Sequence, residues 1–248
     1  MTETMNPGFV IVTGGSSGIG AQITRDYRAA GARVAVVDLR PPAISSGEEY
    51  FHCDITNADD VASVVGRIAQ LFGQIDLLVN NAGYVTRGAA DEISEEDWDK
   101  TFAINVKGTF LMTKASLPYL KQSPDGSIVN VASQAGIRAE ALLSPYCAAK
   151  AAIVHYTRAL ALELAPAVRV NAVCPGFVET DMARKSLEEV ARETDRAFAE
   201  VRTERMSVIP MQRFQQPSDI SAAVRFFASR EAREITGEVM SVAGGQTL

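Results

Sequence analysis

Residues 9–20 read FVIVTGGSSGIG, a short apolar run followed by a glycine-rich turn, and residues 21–28 then have helical composition. An apolar run of this length is typical of a buried strand. A glycine-rich turn between a strand and a helix is typical of phosphate binding, because backbone amides and the helix N-terminus face the phosphate. The glycine spacing is Gly-x-x-x-Gly-x-Gly rather than the commoner Gly-x-Gly-x-x-Gly. We predict that a dinucleotide pyrophosphate is bound here by Gly14, Ser16, Ser17, Gly18, Ile19 and Gly20.

A second apolar run at 34–37 ends in an acid, Asp38. An acid about twenty residues after such a loop is placed to accept hydrogen bonds from the adenosine ribose, and it repels a 2′-phosphate. The pattern therefore favours NAD over NADP. Arg40 keeps NADP open, because an arginine can accommodate the 2′-phosphate. The alternative for Asp38 is an acid that only forms the turn after a strand.

Apolar runs and helical patterns alternate along the rest of the chain with no linker between them. An irregular leader is predicted at 1–8. Further strands are predicted at 50–53, 77–79, 128–133, 168–173 and 237–242, and helices at 57–72, 94–120, from Pro145 onward, at 181–205 and at 217–227. The alternation predicts one α/β domain over residues 1–248, a doubly wound Rossmann fold whose central parallel sheet carries helices on both faces. The charge-rich segment 179–206 follows a strand end and is predicted to be a substrate lid; a solvated helix is the alternative.

The run at 128–133 ends in Ser133, and the next helical pattern carries Tyr146 and Lys150. Residues four apart share a helix face, so the tyrosine and the lysine can contact the same bound molecule. A lysine ammonium favours the phenolate, and lowering the tyrosine pKa from about 10 to about 7 takes about 4 kcal/mol. A serine hydroxyl can hydrogen-bond the same substrate oxygen. The three residues predict proton transfer at a group that alternates between alcohol and carbonyl. Alone, a Tyr-x-x-x-Lys pair is usually a packed aromatic beside a solvated lysine.

Composition narrows the function classes. The net charge of −6 and the absence of a basic run argue against nucleic acid and anionic membranes as partners. Three scattered cysteines, Cys53, Cys147 and Cys174, indicate reduced thiols and a cytoplasmic location. We see no signal peptide and no apolar run of membrane-spanning length, and we predict no metal site.

The motifs that carry the site are spread over essentially the whole chain: residues 13–20, residues 80–83, Asn105, Ser133, Tyr146, Lys150 and Pro175-Gly176. Together they resemble the classical short-chain dehydrogenases/reductases. The resemblance implies that Tyr146 is the general acid/base, that Lys150 lowers its pKa and holds the nicotinamide ribose, and that Ser133 positions the substrate oxygen. It also implies that Asn105 holds a water between Lys150 and solvent, which explains an asparagine inside a helical pattern.

The resemblance further implies a set of NAD contacts beyond the glycine-rich loop. Asp54 and Ile55 would flank the adenine, residues 81–83 the adenine ribose side, and Val178 and Thr180 the nicotinamide amide. The full implied set is Asp38, Leu39, Asp54, Ile55, Asn81, Ala82, Gly83, Ile104, Tyr146, Lys150, Pro175, Gly176, Val178 and Thr180. The segment after Asp38 departs from the family pattern, because its prolines and glycine exclude the usual helix.

Within the family, residues 133–136 and 140–142 resemble the polyol (sorbitol-type) dehydrogenases, and the region from Asp181 resembles butanediol dehydrogenases. We therefore expect NAD-dependent oxidation of a neutral polyol or vicinal diol, with Gln134 and Glu140 available to bind further hydroxyls. For Glu140, exposure to solvent is the alternative. A 3-oxoacyl thioester reductase and a non-catalytic NAD sensor remain alternatives, and the lack of a basic patch counts against the former. Apolar surface on the helices from Ser94 and Pro145 predicts a homo-oligomer, a dimer or tetramer.

Overall fold

The structure, a computed structural model, describes residues 8–248, so the predicted leader lies outside the described residues except for Gly8. The strands are β1 (Phe9–Thr13), β2 (Arg33–Asp38), β3 (Glu49–His52), β4 (Leu77–Asn80), β5 (Ser127–Val131), β6 (Arg169–Pro175) and β7 (Val239–Val242). The seven form one sheet in the order β3-β2-β1-β4-β5-β6-β7, and every neighbouring pair is parallel. The predicted doubly wound parallel sheet is confirmed.

Eight α-helices are present among the described residues. They are α1 (Gly18–Ala29), α2 (Ala58–Phe72), α3 (Glu95–Phe102), α4 (Gly108–Leu120), α5 (Ser144–Leu164), α6 (Asp181–Glu193), α7 (Phe198–Ser207) and α8 (Pro217–Ala228). Buried side chains of α2, α4 and α5 pack on one face of the sheet, and those of α1 and α8 pack on the other. No helix in residues 8–248 has the length and apolar character that crossing a membrane requires.

Helix α2 shows how local sequence sets an element. Asn57 caps it, since its Oδ1 accepts hydrogen bonds from the amides of Asp59 at 3.0 Å and Asp60 at 3.2 Å. These two acids also complement the positive end of the helix dipole. Gly73 ends the helix with a φ of 78°, a left-handed conformation that glycine adopts without a steric penalty.

The predicted helix over 94–120 is interrupted. A π-helical turn at Ala103–Lys107 separates α3 from α4. The side chain of Asn105 gives the physical reason: its Nδ2 donates to the Thr101 carbonyl at 2.8 Å, an acceptor that a regular helix would reserve for a backbone amide. The hydrophobic pattern alone could not show this competition.

The segment predicted as one helix over 181–205 is also divided, into α6 and α7. Asp195, between them, has a φ of 50°, and a single aspartate in this left-handed region stops a helix. The two helices share a small core with the following loop, which includes Leu187, Val201 and Phe214. The region after Asp38, by contrast, contains no helix before β3, as predicted.

Candidate active site

A cleft of about 1250 Å³ opens at the carboxyl ends of the strands. Strand order reverses between β1 and β4, and a crevice outside the strand ends at such a point is the usual ligand site of this architecture. Asn81 ties the two strand ends together: its Nδ2 donates to the carbonyls of Thr13 at 3.0 Å and Gly14 at 3.1 Å. The floor of the cleft is therefore held by hydrogen bonds.

The glycine-rich loop forms a cradle that side chains would fill. A Cβ atom on Gly20 would lie 2.1 Å from the Gly14 carbonyl oxygen, so α1 can approach the loop only with glycine there. Gly14 itself has a φ of 62°. Ser17, the residue before α1, makes no side-chain cap, so the first amides of α1 keep donors free for an anion. This geometry fits a bound pyrophosphate.

Asp38 lies at the end of β2 with its carboxylate partly exposed in the cleft. Its Oδ2 accepts from the Ser16 amide at 3.2 Å, and its Oδ1 accepts from the Arg40 amide at 3.2 Å. Each carboxylate oxygen has a second lone pair available, so the residue can hold the loop and still accept ribose hydroxyls. The Asp38 side chain thus links the predicted ribose contact to the shape of the phosphate loop.

Most of the predicted site residues do line this one cleft. They are Gly14, Ser17, Gly18, Ile19, Asp38, Leu39, Asp54, Ile55, Asn81, Ala82, Gly83, Ile104, Ser133, Tyr146, Lys150, Pro175, Gly176, Val178 and Thr180. Three predicted residues lie outside the lining. The Ser16 amide donates to Asp38 and Gly20 lies close to the Gly14 carbonyl, so both hold the loop in shape without lining the cleft. Asn105 is buried beneath the cleft wall.

Ser133, Tyr146 and Lys150 converge from two elements. Ser133 follows β5 and accepts a hydrogen bond from the Ala135 amide at 3.1 Å, which leaves its hydroxyl proton for another acceptor. Tyr146 and Lys150 lie in the first two turns of α5. Lys150 is 4% exposed, and its Nζ donates to the Val131 carbonyl at 3.0 Å. One bond leaves two of the three ammonium donors unused.

Burial acts on both ionisable members of this set. It raises the pKa of Tyr146 to about 12, and the hydrogen bond with Ser133 opposes this rise only in part. It lowers the pKa of Lys150 to about 8. In the chain alone the tyrosine pKa is therefore raised overall, because loss of water disfavours the charged form. The lowering contribution of Lys150 stays a prediction. The Lys150 ammonium, bonded to Val131, lies 5.7 Å from the tyrosine ring centroid.

Asn105 contacts the cleft wall rather than the cleft. Its Nδ2 donates to the Tyr84 carbonyl at 2.8 Å, and its Oδ1 accepts from the Tyr84 amide at 3.3 Å. A Cβ atom on Gly83 would lie 3.0 Å from Asn105 Oδ1 and 3.5 Å from Lys150 Nζ. The two polar atoms therefore flank the same small gap, which a side chain at position 83 would crowd.

Sequence reasoning missed the cationic residues of the outer cleft. Arg87 and Lys100 precede α4, Arg196 and Arg205 belong to segment 179–206, and all four line the cleft. Arg87 forms an ion pair with Glu193, and Arg205 forms one with Glu140. The Glu140 carboxylate thus neither points freely to solvent nor stands alone. The interleaved charges of 181–205 were the only signal for Arg205, and no sequence spacing links it to Glu140.

Comparisons with known proteins find relatives that match nearly the whole chain. A family model described as Enoyl-(Acyl carrier protein) reductase matches residues 14–247. A 3-oxoacyl-[acyl-carrier-protein] reductase of Thermotoga maritima is 37% identical, with 96% of this chain and 97% of the relative covered. D-threitol dehydrogenase of Mycolicibacterium smegmatis is 36% identical, with 96% and 92% covered. The ligand-free structure of Thermoplasma acidophilum aldohexose dehydrogenase superposes with a TM-score of 0.92 at 35% identity, covering 97% of this chain and 94% of that one.

Proposed function

The chain belongs to the short-chain dehydrogenase/reductase family, oxidoreductases that interconvert alcohols and ketones with a nicotinamide cofactor, and on that premise we propose that it is an NAD-dependent dehydrogenase of polyols or vicinal diols. The observation that carries the proposal is the meeting of Ser133, Tyr146 and Lys150 in one cleft with a phosphate cradle and an acid at the ribose position. The names of two relatives, a D-threitol dehydrogenase and an aldohexose dehydrogenase, support a hydroxyl-rich substrate.

In the proposed reaction, Ser133 donates a hydrogen bond to the substrate oxygen and holds it against Tyr146. The Tyr146 phenolate removes the hydroxyl proton while the carbon loses a hydride, so that the alcohol becomes a ketone. A bound oxidised nicotinamide would supply the hydride acceptor and a positive charge near the phenolate. Lys150 stabilises the phenolate through its charge and offers its two unused donors to the cofactor ribose.

Asn105 is proposed to act through water. The gap beside Gly83 is flanked by the side-chain oxygen Oδ1 of Asn105 and by the Lys150 ammonium. These two polar groups support a bridging water at that point. A water there would carry the proton from the tyrosine side of the site toward solvent. The bonds from Asn105 to the Tyr84 backbone fix the amide in the orientation that the relay needs.

The preference for NAD follows from Asp38. Its carboxylate repels a 2′-phosphate and keeps acceptor capacity for ribose hydroxyls. Arg40 is exposed beside it and is the residue through which NADP would bind if the proposal fails. The fit of the remaining cofactor residues is proposed from their place in the same cleft.

A second candidate is reduction of a 3-oxoacyl thioester. It is favoured by the Thermotoga maritima relative and by Arg87 and Lys100, which bring positive charge to the outer cleft. The ion pair of Arg87 with Glu193 weakens that argument, because it cancels one of the charges.

The proposal includes a homo-oligomer in the cytoplasm. Trp98 on α3 and Phe110 on α4 are 43% and 44% exposed, and Leu162 on α5 is 86% exposed, which supports a self-association surface. The three free thiols among the described residues support a reducing compartment. The segment 179–206, which carries α6 and α7 beside the cleft, is proposed as the lid.

The test is an assay of NADH formation over a panel of sugar alcohols, butanediols and monohydroxy alcohols, with 3-oxoacyl thioester reduction as the opposing arm. Tyr146→Phe is the control, since it keeps the ring and removes the proton-transfer group. We expect it to lose about 10²–10⁴-fold in turnover while still binding NAD. Clearly higher efficiency with the thioester would replace the polyol proposal by the second candidate. A Tyr146→Phe enzyme with more than about a tenth of wild-type activity would refute the role of the tyrosine.

A further inference from the structure

The stretch that carries the proposed lid, 179–206, leaves the domain and rejoins it at one place. The Glu179 amide donates to the Gln215 carbonyl at 2.9 Å, and the Gln215 amide donates to the Phe177 carbonyl at 3.0 Å. These bonds belong to an isolated parallel bridge between Val178 and Gln215. Because both ends of the stretch are fixed side by side, α6 and α7 are attached to the domain through a single hinge.

The lid helices also have a hydrophobic cluster of their own. Its buried members, none of which belongs to the clusters on the two faces of the sheet, are Leu187, Ala191, Val201, Ile209 and Phe214. The ion pair of Arg202 with Glu179 lies within the same stretch. A unit with a separate core can shift while the main core stays packed.

Two ion pairs join this unit to the facing wall of the cleft. Glu193, the last residue of α6, pairs with Arg87 of the loop after β4. Arg205, near the end of α7, pairs with Glu140 of the loop before α5. The side chains of Arg87 and Arg205 are only 22% and 29% exposed, so these pairs are screened less than pairs on an open surface.

The facing wall presents its two charges from a connected support. The Gly88 amide donates to the Leu142 carbonyl at 2.9 Å, which joins the loop that carries Arg87 to the loop that carries Glu140. The wall therefore offers a base and an acid, and the lid offers an acid and a base in the matching order. A lid displaced along the wall would bring like charges together.

We propose that Arg87 and Glu140 are positioning residues that hold the lid over the substrate in one register, through Glu193 and Arg205. Closure then keeps apolar lid side chains that line the cleft, such as Leu187, against the bound alcohol and excludes water from it. This inference rests on the proposed function, because it assigns the closed lid to the step that encloses the alcohol.

The first test reverses the Arg87–Glu193 pair and measures kcat/KM for butane-2,3-diol. Glu193→Arg and Arg87→Glu each set like charges against one another, and we expect each to lower kcat/KM about fivefold. The double variant restores the pair with opposite polarity and should return to within about twofold of the wild type. The matched control is Asp125→Arg, which makes the same change of charge in an ion pair away from the cleft and leaves kcat/KM unchanged. A double variant as slow as the single variants would overturn the proposal.

The Glu140–Arg205 pair gives an independent repetition, which also covers a first variant that fails to fold. Arg205→Glu should lower kcat/KM to a similar extent, and Glu140→Arg combined with Arg205→Glu should restore it. Rescue at only one of the two pairs would refute the matching of two charges as the device that sets the register.

Hydrogen exchange of the α6 amides gives a readout that needs no substrate. A short helix depends on its tertiary contacts, so loosening the end at Glu193 should speed exchange in Asp181–Glu193. We expect about fivefold faster exchange in Glu193→Arg, recovery in the double variant, and no change in β4 or β5. Exchange that responds while kcat/KM does not would overturn the positioning role.

Failure of this inference and failure of the proposed function are distinguishable. If the wild type oxidises butane-2,3-diol and Glu193→Arg alters neither exchange nor kcat/KM, the role of the ion pairs is refuted and the dehydrogenase proposal stands. If the wild type oxidises no alcohol but reduces a 3-oxoacyl thioester, the proposed function is refuted. In that case recovery of slow exchange in the double variant would still support the ion pairs as the contacts that hold the lid.

Discussion

Replacing Lys150 by methionine tests whether its buried charge controls the base. The lysine nitrogen lies 5.7 Å from the Tyr146 ring centroid. If this centroid distance is taken as the separation of the two charges, an effective dielectric constant of about 20 gives a Coulomb energy of about 3 kcal/mol, which corresponds to about 2 pKa units. The cation stabilises the phenolate, so its removal raises the pKa of Tyr146. We expect the rising limb of the kcat/KM profile to move about 2 pH units toward alkaline pH.

The assay is alcohol oxidation from pH 6 to pH 10 at saturating NAD. The wild type should exceed Lys150→Met by about 100-fold below pH 8, and the ratio should narrow above it, because the pKa of Lys150 is about 8 and its charge is then lost. Lys121→Met, at the exposed position that follows α4, is the control for a unit change in net charge. Suppose that the pH profiles of the wild type and Lys150→Met rise at the same pH, and that the variant differs only in a higher KM for NAD. That result would refute the electrostatic role and leave Lys150 only as a cofactor contact.

Three further tests concern Asp38, the self-association surface and the effect of the Lys150 pKa on stability. Asp38→Asn removes the charge but keeps an acceptor for the Ser16 amide, so the NAD-to-NADP ratio of kcat/KM should narrow about tenfold; an unchanged ratio would contradict the repulsion argument. Light scattering should give a mass above 26.6 kDa for the wild type and a shift toward the monomer for Phe110→Glu; a monomeric wild type would refute the assembly. The depressed pKa of Lys150 means that the folded chain loses this proton between about pH 8 and 10 while the unfolded chain keeps it. The cofactor-free wild type should therefore gain stability over Lys150→Met in that window, by up to about 1.4 kcal/mol per pH unit, in denaturant titrations; a constant difference would contradict the shift.

The sequence predicts the sheet and its ligand edge because both depend on local patterns. Apolar runs such as 34–37 show one strand each, and the glycine-rich loop after β1 shows where the helix must approach closely. Element ends were displaced by a few residues, as with α1, which begins at Gly18 inside the predicted loop. The irregular turn at 103–107 was not predictable, because it depends on a side chain that takes a backbone acceptor.

In the candidate site, too, the features that depend on local sequence could be predicted and the others could not. Ser133, Tyr146 and Lys150 could be found from spacing and element order, and they do share one cleft. The ionisation of Tyr146 could not, because it depends on how much water the folded chain excludes. Arg205 could not be matched to Glu140 either, since the two are 65 residues apart and meet only because α7 packs beside the cleft. Long-range ion pairs leave no periodic trace in a sequence.

The π-helical turn determines which side chains of α3 and α4 lie on the same side of the helix axis. Trp98 and Phe110 are twelve positions apart, so an uninterrupted helix at about 100° per residue would place them about 120° apart around the axis. The wider turn absorbs about one residue, which brings them to within about 20°. Phe102, whose ring lies 4.9 Å from that of Trp98, falls on the same stripe.

One irregular turn therefore aligns an aromatic stripe on the outside and orients Asn105 on the inside. Deleting a single residue within Ala103–Lys107 would rotate Phe110 off the stripe by about 100° and displace the asparagine amide from Tyr84 in the same step. Shape on the outer surface and hydrogen bonding beneath the cleft cannot vary independently here. A change in the length of this turn would therefore disrupt both the proposed self-association surface and the proposed proton relay.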